Sequence, residues 1–310
     1  MNHNSDITII GGGVIGLLTA REFIKAGASV TLIEKNLLGQ ESSWAGGGIL
    51  LPLYPWRQAQ AITDLVIQSL KLYPNLAEGL FNDTNINPEW HTCGLLITRN
   101  PDLESATQWC ERNQIPFEYA NDDFFTDLNT TPLNPLWLPT IAQARNPRLV
   151  RALKHYLINH GCDIREHCTL AAVSHDHQRV NAIMTSTGKL AVNELIIAAG
   201  AWTGQLFREN IATTAPDITP VKGQMLLFDA EPHTLKHIVL DEDQYLIPRL
   251  DGKILAGSTV EYDEFNKTTS ETAYEQLSNF ATELMPLLKE RTIIKHWAGL
   301  RPGTYYGIPY

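Results

Sequence analysis

Three glycines and one acid near the N-terminus have the types and spacing to hold a dinucleotide. Gly11, Gly13 and Gly16 satisfy Gly-x-Gly-x-x-Gly, and Glu34 follows 21 residues after Gly13. In such a unit the first glycine permits a tight turn, the second lets a pyrophosphate approach the backbone, and the third lets a helix pack on a strand. The acid can accept ribose hydroxyls, and it disfavours the 2′-phosphate of NADP. A second candidate lies near the other end. Arg301 stands in AGLRPGT, Ala298 to Thr304, between a predicted strand end and Pro302-Gly303. A planar guanidinium held there matches a substrate carboxylate with two parallel hydrogen bonds. A surface arginine in a turn is the other reading of the same residue.

The elements that must position these residues follow from the pattern around them. Ile7 to Ile10 is a short apolar run that stops in glycines, as a buried parallel strand does. Val14 to Ala26 reads as a helix ending at Gly27, and Ser29 to Ile33 as the next strand. The helix N-terminus then points free amides at the phosphates. A long loop, KNLLGQESSWAGGGILLP, comes after Glu34, with Ser42, Ser43 and three consecutive glycines. From Arg57 to Leu80 the apolar spacing predicts one or two helices, broken near Pro74. Asn146 caps a helix with Pro147 in its first turn, and Cys162 to Glu166 is a strand. Glu194 to Gly200 reads as a late buried strand that rejoins the first sheet. Pro220 to Phe228, Ile238 to Leu240, Gln244 to Pro248 and Lys253 to Gly257 read as an antiparallel meander. Such a sheet cannot belong to a parallel nucleotide fold, so it is the platform of a second domain. Thr272 to Leu288 is an amphipathic helix and Thr292 to Trp297 the last strand.

Composition narrows the function classes. The 310 residues, 44% hydrophobic and 19% charged, suit one large or two joined globular domains. A net charge of -10 argues against nucleic acid or an anionic membrane surface as partner. No apolar run has the length of a transmembrane helix, and the one after residue 6 lacks the basic flank of a signal peptide. Cys93, Cys110, Cys162 and Cys168 form no Cys-x-x-Cys pair and read as small buried hydrophobes in a reducing cytoplasm. His175 with His177, and His233 with His237, lack a third ligand, so no metal is expected.

The acid, the short spacer to Gly39 and then SSWAGGGIL resemble the flavin-contacting loop of the D-amino-acid oxidase family of FAD-dependent oxidoreductases. The resemblance is nearest to the glycine-oxidising members of the thiamine pathway. IIAAGAW and WAGLRPGT are further signatures of that family, and the likeness runs from residue 6 to residue 310. It implies an α/β fold: a Rossmann-type FAD-binding domain interleaved with an α+β substrate domain on an antiparallel sheet. The FAD-binding domain would take residues 1–45, 145–215 and 292–310, and the substrate domain 46–144 and 216–291.

Carried over by position, Gly11, Gly13, Val14, Ile15 and Gly16 would hold the cofactor's phosphates and Glu34 and Lys35 its ribose. Ser42 and Ser43 would lie near the pyrophosphate, Gly47, Gly48 and Ile49 beside the flavin ring, and Leu170 near the adenine. Arg301 would bind the substrate carboxylate, Tyr245 would be the active-site tyrosine, and Ile49 and Val260 would wall the pocket. Asp243, two residues before Tyr245, is either a partner for the substrate ammonium or an exposed acid in the turn DEDQ.

The implied reaction is FAD-dependent oxidative deamination of glycine, or of a small amine or D-amino acid, to the imino acid. Ammonia and hydrogen peroxide follow, with oxygen as electron acceptor, and the product feeds thiamine thiazole synthesis. A quinone-coupled D-amino-acid dehydrogenase is the alternative enzyme class, and an inactive flavin-binding remnant the non-enzymatic one. The resemblance also implies a homo-oligomer. Family members continue for some tens of residues beyond GIPY, through a segment that covers one edge of the flavin. The sequence therefore reads either as part of a longer active enzyme or as a weak flavin binder that ends at Tyr310.

Overall fold

In the computed structural model, residues 5–100, 102–176, 179–211 and 214–309 are described. His177 and Tyr310 lie outside them. In chain order the first strands are β1 Ile7–Ile10, β2 Val30–Ile33, β3 His91–Thr92, β4 Leu95–Ile97, β5 Glu118–Tyr119, β6 Leu136–Leu138, β7 Ala142–Gln143 and β8 Asp163–Arg165. They continue as β9 Leu170–Asp176, β10 Arg179–Thr185, β11 Gly188–Ala191, β12 Glu194–Ile197, β13 Ile218–Phe228, β14 Ile238–Asp241, β15 Gln244–Pro248, β16 Ile254–Gly257 and β17 Ile293–Thr304. The helices are α1 Val14–Lys25, α2 Ser42–Ala45, α3 Gln60–Thr84, α4 Leu103–Asn113, α5 Asn146–Asn159, α6 Thr203–Asn210 and α7 Glu271–Leu284.

The apolar run at the start becomes the centre of a four-stranded parallel sheet in the order β12-β1-β2-β8. Parallel strands must be covered on their faces. Here α1, α3 and α5 supply part of that cover, burying Leu17, Ala20, Leu80, Leu153 and Leu157 against Ile9 and Leu32. A small antiparallel sheet, β11-β10-β9, lies against the other side through Ile183, Leu170 and Val192, which pack with Ile10 and Ile33.

The second layer is an eight-stranded sheet, β17-β13-β16-β15-β14-β4-β6-β5. Of the four strands of the predicted meander, β14, β15 and β16 follow one another, whereas β13 pairs with β16 instead of β14, and β14 runs parallel to β4. Alternation along the strands sends side chains to opposite faces. Leu226, Phe228, Leu246 and Ala256 face α7 and pack with Leu277 and Ala281. Met225, Tyr245, Ile247 and Leu255 go to the other face, with Leu51, Tyr54 and Trp109.

Several sequence expectations change. Asn146 is the first residue of α5, after an N-cap at Arg145, and the helix expected over Thr272 to Leu288 stops at Leu284, two residues before Pro286. Pro74 does not break α3, which runs unbroken through it. Its neighbours Tyr73, Leu76, Ala77 and Leu80 are buried or half-buried, and packing of an apolar face outweighs one missing backbone bond. The loop after Glu34 contains a helical turn, α2. Finally, the last strand, expected over Thr292 to Trp297, runs on as Ile293–Thr304 and pairs along β13 of the large sheet, from Phe228↔Ile293 to Ile218↔Thr304. Its one proline, Pro302, allows this because β17 is an edge strand, where a missing N–H faces no neighbour. Arg301 accordingly sits within a strand rather than at its end.

Candidate active site

The first half of the site is built by the β1-α1 turn. Gly11 has φ +110, and a Cβ there would lie 2.3 Å from the Ala198 carbonyl oxygen. At Gly16 a Cβ would fall 1.9 Å from the Gly11 oxygen, so helix and strand meet only because both residues are glycine. The Val14 amide donates to Ser43 Oγ at 2.9 Å, which brings α2 directly to the N-terminus of α1. The Glu34 carboxylate closes the turn from the far side. Its Oε2 accepts from the Gly12 amide at 2.8 Å and its Oε1 from the Asn36 amide at 2.9 Å. Each oxygen keeps a lone pair for a ribose hydroxyl.

These groups border a cavity of about 940 Å³. Ligand pockets span about 300–1,000 Å³, so this one has room for a dinucleotide. Gly11, Gly13, Val14 and Ile15 line it beside Glu34 and Lys35, with Ser42, Ser43 and Leu170 farther along the wall. Gly16 does not line it and serves the packing beneath. Lys35 reaches across the mouth, its Nζ 3.2 Å from the centre of the Trp202 ring, and burial lowers its pKa below the ordinary lysine value. Trp202 stacks on Phe265, and Lys267 Nζ pairs with Glu41 Oε1 at 2.8 Å, so the loop before α7 closes over this rim.

The second half lies on the large sheet. Tyr245, Gly257, Met225 and Trp297 are cross-strand neighbours in one row. Gly223 and Arg301 project from the same face farther along β13 and β17. The Arg301 guanidinium lies over Gly223, where a Cβ would come within 2.5 Å of it. Arg301 Nη2 donates to Ser258 Oγ at 2.6 Å and Nη1 to the Thr259 carbonyl at 3.3 Å. The glycine run and α2 lie on this face too. Trp297 Nε1 donates to the Ala45 carbonyl at 3.1 Å, and a Cβ on Gly47 would meet Ile247 Cδ1 at 2.6 Å and Tyr245 Cε2 at 3.3 Å. One segment, 42–48, thus touches the nucleotide turn at one end and the sheet at the other.

Gly47 and Gly48 are outside the lining of the large cavity and lie between the two halves. Gly48 has φ +81 and packs against the Ala144 carbonyl. Ile49 bridges to Gln143 and packs on the cluster that contains Tyr245. Val260 is 64% exposed. Asp243 is exposed in the turn between β14 and β15, beside Glu242, whose carbonyl accepts from Tyr54 Oη at 2.8 Å. Sequence reasoning passed over Gly223, Ser258 and Thr259, which set the arginine, and Gln143 and Arg249, which lie behind the glycine run. Arg249 alone carried a signal, a charge directly after the apolar strand YLIP.

The fingerprint turn, the acid, the helix N-terminus and the cavity together fit a flavin adenine dinucleotide. The pattern of the FAD dependent oxidoreductase family, DAO, matches residues 6–310. The chain belongs to that family. FAD is therefore its cofactor, and the chain is that of an FAD-dependent oxidoreductase. Among similar members, a glycine oxidase of Pseudomonas putida KT2440 is 40% identical over 314 residues, covering 99% of this chain and 85% of that protein. The crystal structure of glycine oxidase from Geobacillus kaustophilus superposes with a TM-score of 0.93 at 25% identity, covering 100% of this chain and 85% of that one. A bifunctional protein ThiO/ThiG of Synechocystis is 28% identical, and the match covers 98% of this chain but 46% of that protein. No helix among the described residues is long and apolar enough to cross a membrane. Among the same residues no group of three His, Cys, Asp or Glu side chains could hold a metal ion.

Proposed function

We propose that this family member oxidises glycine, or a similarly small amine or D-amino acid, to the imino acid, which water hydrolyses with release of ammonia. The observation that carries the reading is Arg301, held on the sheet face that also presents Tyr245. Its guanidinium is fixed by Ser258 and Thr259 over a glycine that leaves the space free. A substrate carboxylate seated there receives a charge-assisted, two-pronged clamp. Tyr245, buried in the same face, would add a hydrogen bond and fix the substrate's second coordinate. When held by the Gly11 to Gly16 turn and Glu34, FAD would supply two-electron redox chemistry, with oxygen as the final acceptor and hydrogen peroxide as its product. A neutral amine substrate needs no side-chain base. The protein's work is orientation and the exclusion of water. The ThiO/ThiG names and the 40% identical glycine oxidase support a place ahead of thiazole synthesis for thiamine, where the imino acid that escapes hydrolysis would be handed on.

The test is a spectrum. Purified protein reconstituted with FAD is mixed with glycine without air, then exposed to air with a peroxide assay. Bleaching followed by one peroxide per turnover is expected. An Arg301→Ala variant should lose roughly 3 to 5 kcal/mol of transition-state binding, because truncation leaves the carboxylate buried and unpaired. Bleaching without peroxide would favour a different acceptor, and unchanged turnover in Arg301→Ala would remove the arginine from the role.

A further inference from the structure

We propose that Arg249 is a positioning residue for the flavin-side loop: it holds the Gly47 carbonyl toward the sheet, so that the Gly48 N–H is offered outward as a donor to the cofactor ring. This rests on the reading that the ring lies beside the 47–49 run.

The geometry is specific. Tyr245, Ile247 and Arg249 alternate onto one face at the end of β15. The first two confine the α-carbon of Gly47 by contact, and the third binds its carbonyl, with Nη2 to oxygen at 2.7 Å. The other arm of the same guanidinium, Nη1, donates to Gln143 Oε1 at 2.5 Å. Gln143 is fully buried, and its Nε2 donates onward to the Pro248 carbonyl at 2.8 Å, while its backbone bridges to Ile49. The fork therefore ties the loop to the sheet on both sides of Gly48. A trans peptide is planar, with C=O and N–H on opposite sides. If the Gly47 oxygen points into the sheet, the Gly48 N–H points away from it, and it finds no acceptor among the described residues.

A charged side chain at 7% exposure is an expensive means of holding a loop. Both acceptors it reaches are neutral. Burial pushes its pKa down to about 10, so it stays charged at neutral pH. A neutral donor could make one of these bonds, but only a guanidinium makes both in one plane. The charge also lies directly behind the loop, where it would favour extra negative charge on a ring in front.

ADP and FAD separate this role from a general one, since ADP carries the adenosine and phosphates but no ring. Wild-type protein that binds neither would defeat the underlying FAD reading and not this inference. Given wild-type binding, Arg249→Met should weaken FAD by about tenfold to a hundredfold and leave ADP within about twofold. Amide exchange of apo Arg249→Met should quicken in a 46–50 peptide and not in an 11–17 peptide. Arg249→Lys keeps the charge but reaches one acceptor, and should fall between the two. Equal loss of ADP and FAD, or unchanged FAD affinity, would overturn the assignment. If Arg249→Met does not fold, the FAD-to-ADP ratio in Arg249→Lys decides by the same criterion.

Discussion

Adding one methyl at Gly16 tests the nucleotide turn most directly. The Cβ of Gly16→Ala would lie 1.9 Å from the Gly11 carbonyl oxygen, whereas ordinary contact begins at 3.4 Å. The shortfall, 3.4 minus 1.9, is about 1.5 Å, and the obstacle is backbone that no rotamer change can move. Either α1 withdraws from β1 or the Gly11 turn opens. Withdrawal strips contacts from Leu17 and Ala20, both fully buried on that side of the helix. Overpacking of this kind costs about 1–3 kcal/mol, offset by up to about 1 kcal/mol because alanine is the better helix former. At about 2–4 °C per kcal/mol, the apo protein should melt several degrees lower. The binding loss should be larger, because the retreating helix carries its free amides away from the phosphates. We expect an FAD Kd at least about tenfold higher, equivalent to 1.4 kcal/mol. Gly27→Ala is the control. Gly27 has φ +88 but nothing within 4 Å of a built Cβ, so its cost of about 1–2 kcal/mol is local strain and FAD affinity should not change. Fluorescence titration and calorimetry on both variants decide it. A Gly16→Ala protein with wild-type FAD affinity would refute the close-packed turn as the phosphate cradle.

Three further outcomes follow from particular residues. His237 lies against the Phe124 and Trp137 rings, and burial depresses its pKa to about 4. The unfolded chain takes its proton near pH 6.5, so stability should be level above that pH and fall toward pH 4 by up to about 3 kcal/mol; His237→Phe should flatten this part of a pH series of denaturant melts. Pro74→Ala restores a donor to the Leu70 carbonyl inside α3 and should raise stability by about 1–3 kcal/mol, read as a higher urea midpoint. Glu34→Ala leaves the Gly12 and Asn36 amides without their acceptor and removes the ribose partner, so it should weaken ADP and FAD alike by about tenfold or more in parallel titrations.

Much of the nucleotide half was determined by local sequence. The turn at Gly11 to Gly16 is set by sterics within one strand-turn-helix unit, where only glycine tolerates the approach, and β1 spans the same residues in structure as in the sequence reading. The meander was legible for the same reason, because alternation and turn residues act over a few positions. Other features depended on partners far along the chain. Arg301 falls inside β17 only because β13 offers a long antiparallel register with Pro220 opposite Pro302. The unbroken α3 rests on α1, α5 and their shared core rather than on its own propensity. Arg249 meets Gly47 across 202 positions of sequence, and Gln143 meets Arg249 across 106. Short-range sterics and periodicity are written in neighbouring residues, whereas a hydrogen bond between distant strands exists only once the packing of both has brought its two ends together.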